Sequence, residues 1–307
     1  MNKKLLIIDT FNFLHRAYHA LPKTFRGPDG QPTNAIYGFT SMLINVLNQI
    51  KPDYVVAALD GKEPTFRVGE FTAYKAQRKP MEDDLQVQIP KVFEILDAFN
   101  IRQIVVEGYE ADDVIGTMAS KFKGKVDIVV ISNDRDLWQL AGNGNIIMVP
   151  GKKGEFEWLG EKEVDAKLGF EAEKIADYKG LRGDPSDNIP GVFGVGEVTA
   201  TKLLQKFGSL EEIYKNIEKV EPESLKNKLL ESYEQALMSK KLAQLVLDVP
   251  FQIDLEECKY SDLNRIKVKE VLEKYNFKSL IKRLGFDVED GKKGKGTEVS
   301  DKQLSLL

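Results

Sequence analysis

The chain has 307 residues, 42% of them hydrophobic and 30% charged, and a formal net charge of -4. This is ordinary globular composition, enough for one large or two modest domains. No apolar run reaches the ~18 residues of a membrane span, and a single cysteine, Cys258, excludes an internal disulfide or a cysteine-rich metal site.

The acidic balance argues mildly against a nucleic-acid partner unless the acids are gathered at a metal site and the basic groups lie elsewhere. At the amino end, Lys3 and Lys4 precede Leu5-Leu6-Ile7-Ile8, but Asp9 cuts the run too short for a signal peptide. The segment reads as a strand buried on both faces, and the protein as cytoplasmic. His15 and His19, four apart, fall on one helical face as a zinc pair requires. There is no accompanying Glu in an HExxH pattern and no further His, so packing or solvent exposure is the better reading.

A turn-rich loop at 27–32 leads into a helix over about 34–50. A second buried-type strand, 54–59, ends in Asp60. Residues 61–90 have another texture: Arg67, Lys75, Arg78 and Lys79 interleave with Phe66, Phe71 and Tyr74. On a helix, Phe71 with Lys75 and Tyr74 with Arg78 would form an aromatic and basic stripe, able to neutralise phosphates and stack bases. Pro80 and Pro90 break the segment, as in a protruding excursion.

A helix over 90–99 and a strand over 101–106 lead to Glu110-Ala111-Asp112-Asp113. Three carboxylates in four residues repel one another unless solvent, a proton or a cation relieves them. Two of them also suit a helix's first turn. A fourth strand, 126–131, runs into Asp134 and Asp136, and 146–149 reads as a fifth. Alternating strands and helices predict a mostly parallel sheet with helices on both faces, in which sites form at the carboxyl ends of strands. Strand after strand ending in acids predicts one cation site.

From about 161 the strand signal fades, and 175–285 reads as helices, including 199–207, 223–247 and 266–283. Asp184 and Asp187 add two carboxylates three apart. The glycine-rich stretch 189–196 before a helix exposes backbone N–H groups suited to a phosphate. It lacks the GxxxxGK[ST] spacing of an ATPase loop. Beyond Phe286 the Gly- and Lys-rich composition is that of a flexible tail.

Taken in order, Leu6-Ile7-Ile8-Asp9, the stretch 32–39, Thr65-Phe66-Arg67, Tyr74-Lys75-Ala76-Gln77-Arg78, Glu107 through Asp113, Asp134-Arg135-Asp136-Leu137 and Gly183 through Gly196 resemble the 5′-nuclease domain of bacterial DNA polymerase I, within the flap endonuclease superfamily. The resemblance covers about 3–286. It implies a PIN-like α/β core over 1–172 with a helical arch at about 62–90, a helical domain with a helix-hairpin-helix motif over 173–286, and a tail over 287–307. It implies a structure-selective 5′ nuclease, dependent on two Mg²⁺ or Mn²⁺ ions, that cuts at 5′ ends and 5′ flaps of branched or nicked DNA in primer removal and repair. Asp9, Asp60, Glu110 and Asp112 match the acids around one ion. Asp134, Asp136, Asp184 and Asp187 match those around the other, and Asp113 completes the central acidic motif.

Arg67, Tyr74, Lys75 and Arg78 match the arch, with Lys75 and Arg78 as the groups that steady the scissile phosphate. Gly191, Gly194, Val195, Gly196, Thr199 and Lys202 match the DNA-binding hairpin and its helix, where the family often holds K⁺. Two departures stand out. Thr10-Phe11-Asn12 follow Asp9 where the family usually has Gly-Asn-Ser, which puts the local turn in question. Asn133 stands where Gly is common. The chain reads as a monomer without membrane contact, either free-standing or the amino-terminal piece of a protein with a linked polymerase. Gln303-Leu304-Ser305-Leu306-Leu307 resembles a peptide that docks on the sliding clamp. Three other readings compete, one of them a PIN-type ribonuclease, which the core alone would allow but against which residues 183–208 favour duplex DNA. A DNA-structure-binding protein without strong catalysis would be expected to have lost acids that are all present. A phosphohydrolase of the haloacid dehalogenase type needs Asp-x-Asp where Asp9-Thr10-Phe11 stands.

Overall fold

In the computed structural model, which describes residues 2–142, 144–151, 155–260 and 263–286, the first apolar run forms β1 (Lys4–Asp9). Asp9 then caps α1 (Thr10–Ala20), its carboxylate accepting the Asn12 N–H. The chain continues through α2 (Asn34–Ile50), β2 (Tyr54–Leu59), the short α3 (Phe66–Glu70) and α4 (Asp83–Gln86), α5 (Ile89–Ala98) and β3 (Arg102–Val105). Then come α6 (Ala111–Phe122), β4 (Asp127–Ile131), β5 (Asn145–Pro150), β6 (Phe156–Leu159) and α7 (Glu161–Leu168).

The strands form one sheet of order β3-β2-β1-β4-β5-β6, parallel except for β6, which returns antiparallel along β5. Side chains alternate across it. Leu5, Ile7, Val56, Ala58, Ile128 and Val130 pack with α6 on one face, while Leu6, Ile8, Val55, Ala57, Val129 and Ile131 pack with α1, α2 and α5 on the other. Both faces are covered, which is why these strands are continuous apolar runs. The sequence pattern missed β6: four residues whose middle pair is exposed show neither a buried run nor a clear alternation.

The helical part comprises α8 (Ile175–Arg182), α9 (Glu197–Phe207), α10 (Leu210–Lys215), α11 (Glu223–Glu231) and α12 (Tyr233–Ala243). Its apolar residues, among them Leu181, Leu204 and Ala236, are continuous with the core on the α6 side of the sheet. The chain then doubles back. Lys259 bridges to Tyr54 on β2, and α13 (Arg265–Lys274) and α14 (Lys278–Arg283) pack on the α2 and α5 side. The last part of the segment expected to be one helical domain is therefore a clasp on the α/β core. The expected helix over 223–247 breaks at Ser232, and that over 266–283 breaks at Asn276, which takes φ +60. No described helix is long and apolar enough to cross a membrane. The expected tail and Gln303–Leu307 lie outside the described residues.

Candidate metal centre

The order β3-β2-β1-β4 means that successive connections run outward from β1 in one direction and from β4 in the other. Ligand sites in such sheets lie at this divide, beyond the carboxyl ends. Here Asp9 ends β1 and is 5% exposed. Ser132, just past β4, donates its hydroxyl to Asp9 at 2.6 Å and accepts the Asp134 N–H at 2.9 Å, and Asp134 in turn accepts the Asp136 N–H at 2.8 Å. These bonds string the acids of the β4 loop beside Asp9. Both departures from the family pattern join this frame, because Asn12 accepts the Asn133 N–H at 2.9 Å. The turn after Asp9 needs no glycine, since α1 begins directly at Thr10. At the end of β2, Asp60 accepts the Ala111 N–H at 2.9 Å, bringing the start of α6 to the same rim.

Glu110 lies outside α6 in extended backbone, as N-cap, and Asp112 is in the first turn. The carboxylates strain one another. Burial, then repulsion from Asp60 and Asp134, pushes Asp9 up to about 7, against the help of Ser132. Burial, then Asp134 and Asp9, holds Asp112 well above the usual carboxylate range. Asp113 departs from its expected place among the metal ligands. It is fully buried and points away into a fork with Arg67, at 2.6 and 2.7 Å, while also accepting the N–H groups of Val246 (2.9 Å) and Glu110 (3.2 Å). Its acceptor sites are taken, so it holds the acidic turn in place instead of facing a cation.

Asp136 also groups with two further carboxylates, Asp184 and Asp187, the three each offering an oxygen within 4.8 Å of the others. Lys179, in the last turn of α8, reaches into this group and pairs with both Asp136 and Asp184. Burial alone would lower the lysine's pKa, but the two carboxylates outweigh it and raise it. Burial, with repulsion from Asp134, pushes Asp136 up to about 6 even so. Sequence reading did not find Lys179. Its only trace is a lysine five residues before Asp184 across the turn at Gly183, and its meaning depends on the helical phase of α8.

The arch residues differ most from expectation. Residues 72–77 form turns, so the aromatic and basic stripe does not assemble on a helix. Arg67 is 2% exposed and Tyr74 5%, so neither is a DNA contact. The Tyr74 ring packs among Ala176, Ile189, Leu242 and Ala243, and its hydroxyl donates to Glu110 at 3.2 Å and lies 3.3 Å from Asp187. A phenol can bury here because those carboxylates satisfy its hydrogen. Lys75 and Arg78 do stand at the acids. Lys75 lies 2.9 Å from Glu110 and 3.7 Å from Asp187, and Arg78, half exposed, pairs with Asp187. The loop is pinned by the Lys75 N–H on the Asp187 carbonyl (2.9 Å) and by Asn188 on the Ala73 carbonyl (2.6 Å), with Lys75 in the left-handed region at φ +55.

In the hairpin, Gly191 and Val195 are buried framework and offer no side-chain contact to a ligand. A Cβ on Gly191 would lie 2.1 Å from the Gly183 nitrogen, so two backbone segments meet where only glycine fits. Gly194, Gly196 and Lys202 are exposed and Thr199 half-buried, which leaves them as the accessible part of the predicted set.

This combination of a mostly parallel sheet with an acidic crevice and a helical hairpin unit is a known one. The sequence profile of the 5′-3′ exonuclease N-terminal resolvase-like domain matches residues 4–169, and that of the 5′-3′ exonuclease C-terminal SAM fold matches 170–266. The chain belongs to the 5′-3′ exonuclease family. It is 46% identical over 288 residues to DNA polymerase I of Caldicellulosiruptor bescii, covering 92% of this chain and 33% of that protein. It is 40% identical over 299 residues to DNA polymerase I of Bacillus subtilis, covering 96% and 34%. The chain thus spans about a third of the length of the curated relatives it matches. Among solved structures, a phage T5 flap endonuclease in complex with DNA and metal ions shares the fold at TM-score 0.65 and 20% identity, over 89% of this chain and all of that one.

Proposed function

We propose that the chain is a structure-selective 5′ nuclease that hydrolyses DNA phosphodiester bonds at 5′ ends and 5′ flaps with two divalent cations. The observation that carries this is the convergence of carboxylates from β1, β2, the start of α6, the β4 loop and the 184–187 loop on one crevice, with lysines drawn into them. The donor set fits hard cations. It is all carboxylate, with no nitrogen or sulfur donor among the residues named, which suits Mg²⁺ or Mn²⁺ over zinc. Its buried acids have raised pKa values, which is what charges awaiting a counter-ion show. Asp9, Asp60, Glu110 and Asp112 would hold one ion, and Asp134, Asp136, Asp184 and Asp187 the other. When bound, such ions lower the pKa of an attacking water and offset charge on the leaving 3′ oxygen.

The chain's own residues supply the rest. Lys75 and Arg78 would meet the scissile phosphate and offset its charge in the transition state. Ser132 and the Asn12–Asn133 pair hold the acids in register. Gly194, Gly196, Thr199 and Lys202 would grip duplex backbone, with K⁺ at the hairpin. Primer removal and repair in the bacterial cytoplasm, action as a monomer, and a polymerase linked in the same chain are the setting this reading implies. A 5′-labelled flap duplex beside plain single strand is the test. Cutting of the flap with Mg²⁺ and none with chelator is expected, and a flap left intact under Mg²⁺ overturns the reading. The carboxyl-terminal Gln303–Leu307 would dock on the sliding clamp. A peptide of residues 297–307 is expected to bind purified clamp in a titration, and no measurable binding removes that partner.

A further inference from the structure

The hairpin ends in an apolar tip that neither the fold nor the acidic centre uses. Val192 and Val195 are buried and bracket a tight turn closed by the Val195 N–H on the Val192 carbonyl at 3.0 Å, with Gly194 at φ +77. Two inward valines leave Phe193 nowhere to go but out, and it is 86% exposed. The base of the turn is fixed: the Gly191 N–H donates to Ser239 at 3.0 Å, Gln235 donates to the Gly191 carbonyl, and the Val192 N–H donates to the Leu181 carbonyl at 2.7 Å. These bonds hold the backbone of the turn in place, with the ring on its outer side. Val198, in the first turn of α9, is 66% exposed, and Lys202, four residues on, shares its helical face and is exposed. Beside the tip stands Lys228, whose ammonium lies 2.8 Å from where a Gly194 Cβ would be. A Cβ on Gly196 would meet nothing within 4 Å.

A turn of this kind is served as well by a polar residue as by phenylalanine, and an exposed ring contributes nothing to the core. Its neighbours say what covers it. A bulky surface can approach closely over Gly196, Lys228 stands beside the turn at Gly194, and the exposed apolar groups are two side chains five residues apart and not a broad face. A DNA backbone has this alternation, with anionic phosphates beside apolar deoxyribose.

We propose that Phe193, with Val198, packs against the deoxyribose face of the duplex arm while Lys202 and Lys228 take flanking phosphates. The ridge is a positioning contact for the nuclease reaction. The inference rests on the function proposed above. Its signature is a binding contribution that does not depend on salt. Lysine–phosphate contacts release counter-ions and set the slope of log K against log salt, at about 0.9 per phosphate, whereas burial of a ring changes affinity at all salt concentrations alike.

The test is fluorescence anisotropy of a flap duplex in chelator, from low to moderate salt, with the full chain. Phe193→Ala is expected to weaken binding by about tenfold at every salt concentration with the slope unchanged. Phe193→Leu should keep most of the affinity, and Lys202→Ala should reduce the slope by about 0.9. At so exposed a position Phe193→Ala should melt as the wild type does. Wild-type affinity in Phe193→Ala, or a changed slope, overturns the inference and leaves the nuclease reading standing. An altered oligomeric state with unchanged DNA affinity would instead assign the ridge to self-association. If the wild type fails to bind the duplex at all, the nuclease reading fails, and this inference with it.

Discussion

Arg67→Ala is expected to destabilise the protein by about 3–5 kcal/mol, the range for stripping one partner from a buried ion pair. The guanidinium forks onto Asp113 at 2.6 and 2.7 Å and donates to the carbonyls of Leu242 (2.8 Å) and Gln244 (2.9 Å). It joins α3, the first turn of α6, the end of α12 and the strap that follows it. Burial alone would lower its pKa, yet the bonds and charge of Asp113, then Glu110, raise it. Alanine would leave a fully buried carboxylate without its counter-charge, though still bonded to the Val246 and Glu110 N–H groups, and two carbonyls without the guanidinium donor. Arg67→Lys keeps the charge but not the fork, so it should recover only part of the loss. The double variant Arg67→Ala with Asp113→Ala should be less damaged than the sum of the single changes, because no lone charge remains. Denaturant midpoints measure all of these, and a single Arg67→Ala within about 1 kcal/mol of wild type would refute the account. Cleavage should fall as well, because Glu110 and Asp112 depend on the turn that Asp113 anchors.

This residue also marks the boundary of what the sequence could reveal. The sheet was legible, because strands buried on both faces are uninterrupted apolar runs and here several of them end in acid. Asp9, Asp60 and the β4 acids could be grouped from that pattern alone. Arg67, Tyr74 and Asp113 could not be sorted. An arginine or tyrosine beside other basic and aromatic residues has the same local pattern whether it faces solvent or a buried carboxylate. The partners that decide the matter are remote: Arg67 meets Asp113 46 positions on and the Leu242 carbonyl 175 positions on. Lys179 was hidden for the same reason. The break of the expected 223–247 helix was invisible because its periodicity continues through Ser232.

Asp112→Asn should have two effects of opposite sign: loss of cleavage and a more stable metal-free protein. Removing groups that merely orient metal ligands typically costs 10- to 100-fold, so loss of a direct ligand should cost on the order of 10³-fold in Mg²⁺-dependent turnover. Stability moves the other way because the crevice acids are held in protonation states the unfolded chain does not share. Asp9 titrates at about 7 and Asp136 at about 6 against an ordinary 3.8, and Asp112 lies well above that value. For an acid raised in the folded state, the native protein holds protons that the unfolded chain has already released. The metal-free protein should therefore lose stability as pH rises from about 4 through about 7. Asp184 acts in the opposite sense. Burial works against its charge, but Lys179 and Ser186 hold it below the usual range, so it favours folding until pH falls through that low value. Asparagine at 112 removes a repelled charge without changing the shape. At pH 8 the metal-free variant should be more stable than wild type, with a shallower decline in stability between pH 4 and 7. Thermal unfolding in chelator across that range, beside single-turnover cleavage, measures both. Near-normal turnover would remove Asp112 from the centre, and a variant that loses stability together with activity would show that its carboxylate supports the fold and is not a charge waiting for a cation.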